Sequence, residues 1–185
     1  MSSNSILGVR IPDSTIAREA TQLLRDTASE LLFQHSMRVY CWAALIAKRR
    51  DLAFDPELLY AGAMFHDLGL TERFHRSALR FEVDGANAAR DFLKSHGIPE
   101  MDVQKVWPAI ALHTPPGIPE FLHAEAALLH VGAGMDVAGT AQVHLRALGA
   151  ARDADIAQAT QCERDPSRFD RADIDIARTG QVDAE

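Results

Sequence analysis

Apolar residues recur along most of the chain at the three- and four-residue spacing that places them on one face of a helix. The first such segment follows Pro12-Asp13-Ser14, a sequence typical of a helix start. The second runs from about Glu30 to Arg50, with basic residues off its apolar stripe. The third opens at Asp55-Pro56, a capping residue followed by proline, and stops near Gly69. Three helices are therefore predicted before residue 70.

The second half of the chain repeats this pattern after an interruption. The polar and basic stretch 70–82 is predicted to be a surface loop. Asp84-Gly85 leads into the next helix, and two more are predicted over about 101–113 and 120–137. Alternation of apolar and polar residues never lasts long enough to indicate a strand. The predicted fold is all-α, a compact helical bundle of about six to seven helices.

Length and composition indicate one folded domain followed by a tail. The 185 residues are 47% hydrophobic and 24% charged, as is usual for a globular chain of one domain. We predict a helical domain over residues 1–151 with its core at 31–139. Residues 152–185 are acidic and poorly periodic, and we predict a poorly structured tail without chemistry there. The net charge of −7 disfavours a nucleic acid partner.

The remaining composition bears on location and partners. No run of 18 apolar residues suggests a membrane span, and the first residues lack the features of a secretory signal. Two cysteines, Cys41 and Cys162, do not make a disulfide framework. We therefore expect a cytoplasmic protein that acts on a small molecule, with no membrane partner. Homo-oligomerisation stays open.

Candidate metal ligands lie on the apolar faces of three predicted helices. They are His35 in the second helix, His66 and Asp67 at the end of the third, and Asp136 in the last. Each has an ordinary alternative: His35 as a hydrogen-bonded core histidine, His66-Asp67 as a chance pair, Asp136 as a buried cap. Taken together they supply two neutral nitrogens and two carboxylates, which would neutralise a divalent ion. The combination predicts a single site for zinc, with iron, manganese and nickel as alternatives.

The same residues carry a resemblance to a known family. The order of His35, then His66-Asp67 in AMFHDLGLTERF, then Asp136 in HVGAGMDVAG resembles the HD superfamily of metal-dependent phosphohydrolases. The resemblance covers about 31–139 and implies an all-helical fold. It further implies that the four residues share one metal ion and that a water bound to the ion attacks the substrate. The segments HDLGLT, FEVDGANAARDFL and ALHTPPGI are most similar to the branch that contains cyanamide hydratase.

One departure from the family limits the number of metal ions. The dinuclear phosphodiesterases of the superfamily carry extra histidines, one of them four residues before a Gly-Ala pair that opens a helix. In this chain the pair is Gly85-Ala86, and the matching position is Phe81. His113 resembles another of those histidines, but one without its companion does not make a second site. The sequence therefore favours one metal ion.

The residues expected around the ion fall into two groups. Asp67 is expected to bind the ion and orient the nucleophile, while His113 and Glu72 are candidates for proton transfer. His113 is equally consistent with a core or capping histidine, and Glu72 with a solvated loop carboxylate. Candidates for the substrate side are Arg38, Phe81 and Glu82, although Glu82 and Asp84 would also serve as helix caps.

Three functions are compatible with these residues. The first is a metal-dependent hydrolase of a phosphoester or nucleotide, favoured by the breadth of the superfamily. The second is a cyanamide hydratase-like enzyme that adds water to a small nitrile, favoured by local similarity. The third is a non-catalytic HD module that senses a ligand. An open cavity reached by Arg38 and the loop arginines 73, 76 and 80 would indicate a phosphorylated substrate, and a narrow apolar cavity the nitrile.

Overall fold

The computed structural model of the protein describes residues 5–6, 8–75 and 78–138. The regular secondary structure of these residues is helical apart from one short hairpin. The six α-helices are, in chain order, α1 Thr15–Thr27, α2 Glu30–Arg50, α3 Pro56–Phe65, α4 Phe81–Ser95, α5 Glu100–Ala111 and α6 Ala124–Ala138. Two 3-10 helices, Leu68–Leu70 and Pro119–Phe121, precede α4 and α6. The all-α prediction is confirmed. The predicted tail lies outside the described residues.

Side-chain caps fix the starts of the first three helices where the sequence predicts them. The hydroxyl of Ser14 accepts the backbone N–H of Ala17, and Asp55 accepts those of Glu57 and Leu58. Ser29 caps α2 in the same way as Ser14 caps α1. Because each cap satisfies a helix donor that lacks an internal partner, the local sequence decides where the helix begins.

Two features of the first half differ from the sequence analysis. Residues Ser5–Ile6 (β1) and Val9–Arg10 (β2) pair as an antiparallel hairpin, too short for alternation to reveal it. The hydroxyl of Tyr40 in α2 donates to the backbone carbonyl of Arg10 at 3.0 Å, which ties this hairpin to the bundle. The third helix ends at Phe65 rather than near Gly69, and a 3-10 turn follows it.

The start of α4 is a correction to the predicted cap at Asp84. The helix begins at Phe81, so Asp84 lies buried inside its first turn and does not cap it. Gly85 is needed for close packing instead: a Cβ there would lie 2.6 Å from the carbonyl oxygen of Phe65. A Cβ on Gly69 would lie 2.1 Å from the carbonyl oxygen of Phe81. These two glycines let α4 cross directly over the end of α3.

The helices pack around one apolar core. This packing brings the start of α2 close to the ends of α3 and α6. α2 lies against α6 and α3, α4 lies against α5, and α1 covers α3. Fully buried aromatic residues such as Tyr40, Tyr60 and Phe65 fill the interior. The hydroxyl of Tyr60 contacts that of Thr21 at 2.7 Å, so its polar end is satisfied within the core. In the described part of the chain, no helix combines the length and apolar character that crossing a membrane demands.

Candidate metal centre

Three of the predicted ligands meet where α2 and the end of α3 come together. His35 lies one turn inside α2, His66 is the residue after α3, and Asp67 leads into the 3-10 turn. The Nε2 atom of His35 lies 3.1 Å from that of His66 and 3.4 Å from Oδ2 of Asp67. Nε2 of His66 lies 3.3 Å from the same oxygen. The three donor atoms thus form a nearly equilateral triangle.

The edges of this triangle match the donor spacing of a metal ion. Zinc binds histidine nitrogen at about 2.0–2.1 Å, so two donors of a tetrahedral ion lie about 3.3 Å apart. The observed spacings of 3.1, 3.4 and 3.3 Å agree with that value. Three protein ligands also leave a further position open, as hydrolytic metal sites require. The donor set and its spacing therefore fit a single divalent ion.

Hydrogen bonds on the far side of each ring direct the histidine lone pairs towards the triangle. Nδ1 of His66 donates to the carbonyl oxygen of Ala63 at 2.8 Å, and Nδ1 of His35 to Oδ2 of Asp136 at 2.6 Å. These acceptors place the ring proton on Nδ1, which leaves Nε2 as the lone-pair atom. In the neutral rings these lone pairs would repel the Asp67 carboxylate at 3.3–3.4 Å unless a cation, either a proton or a metal ion, lies between them.

The pKa values show that the cluster attracts positive charge. Burial alone would lower the pKa of His35, but its hydrogen bonds to Asp136 and Asp67 raise it to about 9. Burial would raise the pKa of Asp67, yet the facing histidines hold it far below its usual range. The fully buried His66 has a lowered pKa because desolvation disfavours its charged form. His66 is therefore neutral at pH 7 and able to bind a metal ion, and Asp67 is ionised.

Asp136 lies behind His35 rather than beside the other donors. Its Oδ2 accepts from Nδ1 of His35, and both of its oxygens accept from Arg38, at 2.5 and 2.8 Å. Within the described residues, one group of at least three side chains has a donor atom from each member within 4.8 Å of all the others, and it consists of His35, His66 and Asp67 without Asp136. A bond from Asp136 to the ion would require its carboxylate to turn away from His35. The assignment of Asp136 as the fourth ligand stays a prediction.

His113 and His35 contact different carboxylate oxygens of Asp67. His113 follows the end of α5, it is buried, and its Nε2 is 3.4 Å from Oδ1 of Asp67. Its Nδ1 donates to the carbonyl oxygen of Ile110 at 2.7 Å, so Nε2 faces the site as in the other two histidines. His130 in α6, which the sequence analysis did not single out, donates to the backbone carbonyl of His113 at 2.7 Å. Nothing in the sequence marks this contact, because its acceptor belongs to the backbone.

Phe81 and Glu82 support the loop of His113 instead of facing the open side of the site. The ring of Phe81 packs edge-on against His113 at 5.9 Å between centroids. Glu82 is buried, and it accepts from the hydroxyl of Thr114 at 2.6 Å and from Arg80 at 2.5 Å. Burial opposes ionisation of Glu82, but these hydrogen bonds lower its pKa to about 2. The carboxylate therefore stays charged and joins the first turn of α4 to the residue after His113.

A cavity of about 650 Å³ opens beside His35 and Asp67. Arg38 and Glu72 line it, so two of the predicted side chains do face the site. Arg73 contacts the ring of Phe74 and Arg80 pairs with Glu82, and neither belongs to the lining. Arg76 lies outside the described residues. Leucines and a valine supply much of the rest of the lining, and the sequence analysis did not single them out.

Comparisons with known proteins bear on the fold and the family of the chain. No curated protein matches the chain in sequence. One solved structure, a predicted HD superfamily hydrolase from an uncultured Thermotogales bacterium, has a similar fold with a TM-score of 0.53. It is 20% identical, and the match covers 84% of this chain and 89% of that one. The family model described as HD domain matches residues 32–155, more than half of the chain. The protein belongs to the HD domain family.

Proposed function

We propose that this protein is a metal-dependent hydrolase that uses one divalent ion to hydrolyse a phosphoester of a small molecule. The observation that carries the proposal is the triangle of His35, His66 and Asp67, whose donor atoms have the spacing of metal ligands. Membership of the HD family supports it, and so does the similar fold of a protein described as a predicted hydrolase. Zinc suits two imidazoles and a carboxylate, and iron, manganese and nickel accept the same donors.

The side chains around the triangle are assigned to metal binding and to proton transfer. A divalent ion held by these residues would lower the pKa of water from about 15.7 towards 7. Asp67 would hold the ion through Oδ2, which faces His35, while its Oδ1 faces Nε2 of His113 at 3.4 Å. His113 is thus placed to take or return a proton on that side of Asp67. Glu72 lines the cavity and is the second candidate for proton transfer.

The size of the cavity and the position of Arg38 support a phosphoester over a nitrile, although Arg73 and Arg80 do not line the cavity. A cavity of about 650 Å³ is far larger than a nitrile of a few atoms requires. Arg38 lines it and supplies a guanidinium next to the ion-binding residues, where a phosphate group would lie. Two observations favour the hydratase alternative: Arg38 is hydrogen-bonded to Asp136, and aliphatic side chains surround the entrance. A small neutral substrate would need no arginine.

A metal-dependent activity screen tests the proposal. The purified protein is analysed for its metals, stripped with a chelator, and reloaded with zinc, iron, manganese or nickel. Each form is assayed with p-nitrophenyl phosphate, bis(p-nitrophenyl) phosphate, nucleoside monophosphates and cyanamide. We expect phosphate-ester cleavage that disappears with the chelator and returns with one metal. Conversion of cyanamide to urea alone would establish the hydratase instead, and tight metal binding without any turnover would indicate a sensing module.

The Asp136→Asn variant tests how this residue acts on the ion. Asparagine keeps the shape and can still accept from His35, but it loses the charge that orients the ring and pairs with Arg38. If Asp136 acts through His35, we expect zinc affinity to fall by about 10- to 100-fold, with one ion still bound at saturation. Competition with a chromophoric chelator measures the affinity. A fall above about 1,000-fold, with less than one ion bound, would show that the carboxylate itself is a ligand.

A further inference from the structure

Exposed aliphatic side chains surround the entrance to the metal centre. Leu31, Leu70 and Val137 are 77%, 54% and 78% exposed, and all three line the same cavity as His35 and Asp67. They come from three separate elements: the first turn of α2, the 3-10 turn after Asp67, and the last turn of α6. We call these three side chains the aliphatic rim. Each lies within four residues of a residue of the site, so the fold brings the rim and the site together.

The charges of the cavity restrict what else the substrate carries. Among the described residues that line it, Arg38 is the one cationic side chain other than histidine, and it is bonded to Asp136. Asp67, Glu72 and Asp136 contribute three negative charges. With one divalent ion added, the lining is close to neutral. A nucleoside triphosphate would bring about four negative charges to a cavity without lysine or further arginine to meet them.

From the rim and this charge balance, we propose that the substrate carries an apolar group next to a single phosphate-type group. The phosphate end would face the ion and Arg38, and the apolar end would cover the aliphatic rim. This inference rests on the proposed function for the identity of the reacting group. Such a substrate would also account for the exposure of three large apolar side chains beside a polar site, because its binding would remove them from water.

Binding of alkylphosphonates to the full-length, zinc-loaded protein tests the inference without depending on turnover. Methylphosphonate and hexylphosphonate share the charged group and differ by five methylenes. Full burial of one methylene raises affinity by about fourfold, and burial against an open rim by about twofold. We therefore expect hexylphosphonate to bind about 30-fold more tightly than methylphosphonate in calorimetry. ATP should compete with hexylphosphonate only weakly.

Two matched variants test whether the aliphatic rim causes the preference for hexylphosphonate over methylphosphonate. Leu31→Gln replaces an exposed aliphatic side chain of the rim, and Met101→Gln replaces one of 75% exposure in α5 that does not line the cavity. We expect Leu31→Gln to reduce the hexyl-to-methyl ratio by about threefold or more, and Met101→Gln to leave it unchanged. A ratio near one in the wild type, or equal effects of the two variants, overturns the inference.

The outcomes separate this inference from the proposed function. If the metal-loaded protein cleaves phosphoesters but binds both phosphonates equally, the rim has no role in recognition and the hydrolase proposal stands. If no phosphoester is cleaved with any metal, while hexylphosphonate binds with the expected preference, the hydrolase proposal fails and the apolar subsite is supported.

Discussion

Replacing His66 or Asp67 with alanine is expected to remove both the metal ion and the activity. Each substitution deletes one corner of the donor triangle, so the ion keeps two ligands of the three that fit it. Loss of an outer-shell contact alone costs about 10- to 100-fold in affinity or activity, and loss of a ligand should exceed that range. Elemental analysis should find less than one ion in ten chains, and turnover of the substrate found by the screen should fall by more than about 100-fold.

These variants need one control for loss of folding and another that shows the effect is specific to the metal centre. His66 is fully buried and donates to the carbonyl oxygen of Ala63, so its loss also weakens the end of α3. Asp67→Asn is therefore the cleaner variant, because it keeps the side-chain volume and removes the charge. His75→Ala, an exposed histidine in the loop after the 3-10 turn, should leave metal content and activity unchanged. A well-folded Asp67→Ala protein that is free of metal and fully active would refute the proposed centre.

Local signals in the sequence were enough to place the helices that begin with a cap. The predicted span of α2 matches the observed Glu30–Arg50, and Asp55-Pro56 opens α3 as predicted. The predicted start of α4 was wrong because the role of Gly85 depends on a contact with a distant part of the chain. Asp84-Gly85 reads as a cap and turn, but Gly85 is there to admit the backbone of Phe65 at close range. Phe65 and Gly85 are twenty positions apart, so the residues next to Gly85 in the sequence give no sign of this contact.

The same distinction applies to the candidate site. Histidines and aspartates on apolar helix faces are costly without partners, so the sequence could point to His35, His66 and Asp67 as a group. What the sequence could not give is the partner of each ring nitrogen. His66 and His113 donate to the backbone carbonyls of Ala63 and Ile110. Because every residue has a carbonyl, the sequence does not indicate which one accepts. The bidentate pairing of Arg38 with Asp136 also depends on how α2 and α6 cross.

That crossing of α2 and α6 depends on one glycine, and Gly132→Ala is expected to destabilise the protein strongly. A Cβ on Gly132 would lie 2.6 Å from the carbonyl oxygen of Val39 and 3.2 Å from Cβ of Ala43, both in α2. Backbone cannot rotate away as a side chain can, so the two helices must separate. Overpacking of this kind costs about 1–3 kcal/mol, and the better helix propensity of alanine returns at most about 1 kcal/mol. We expect a net loss of about 2 kcal/mol, which for a chain of this length corresponds to a fall in Tm of about 4–8 °C.

Gly134 supplies the matched control, since it lies two residues further along the same helix and faces the other way. Among the described residues, no heavy atom lies within 4 Å of a Cβ placed on Gly134, so Gly134→Ala should stabilise the protein by about 0.5–1 kcal/mol. Gly132 lies one turn before Asp136, and Val39 one turn after His35, so separating the helices also lengthens the 2.6 Å contact between those two side chains. Zinc affinity should therefore fall in Gly132→Ala and stay unchanged in Gly134→Ala. Thermal unfolding and chelator competition measure both effects, and equal shifts in the two variants would contradict this account of how α2 and α6 hold the centre together.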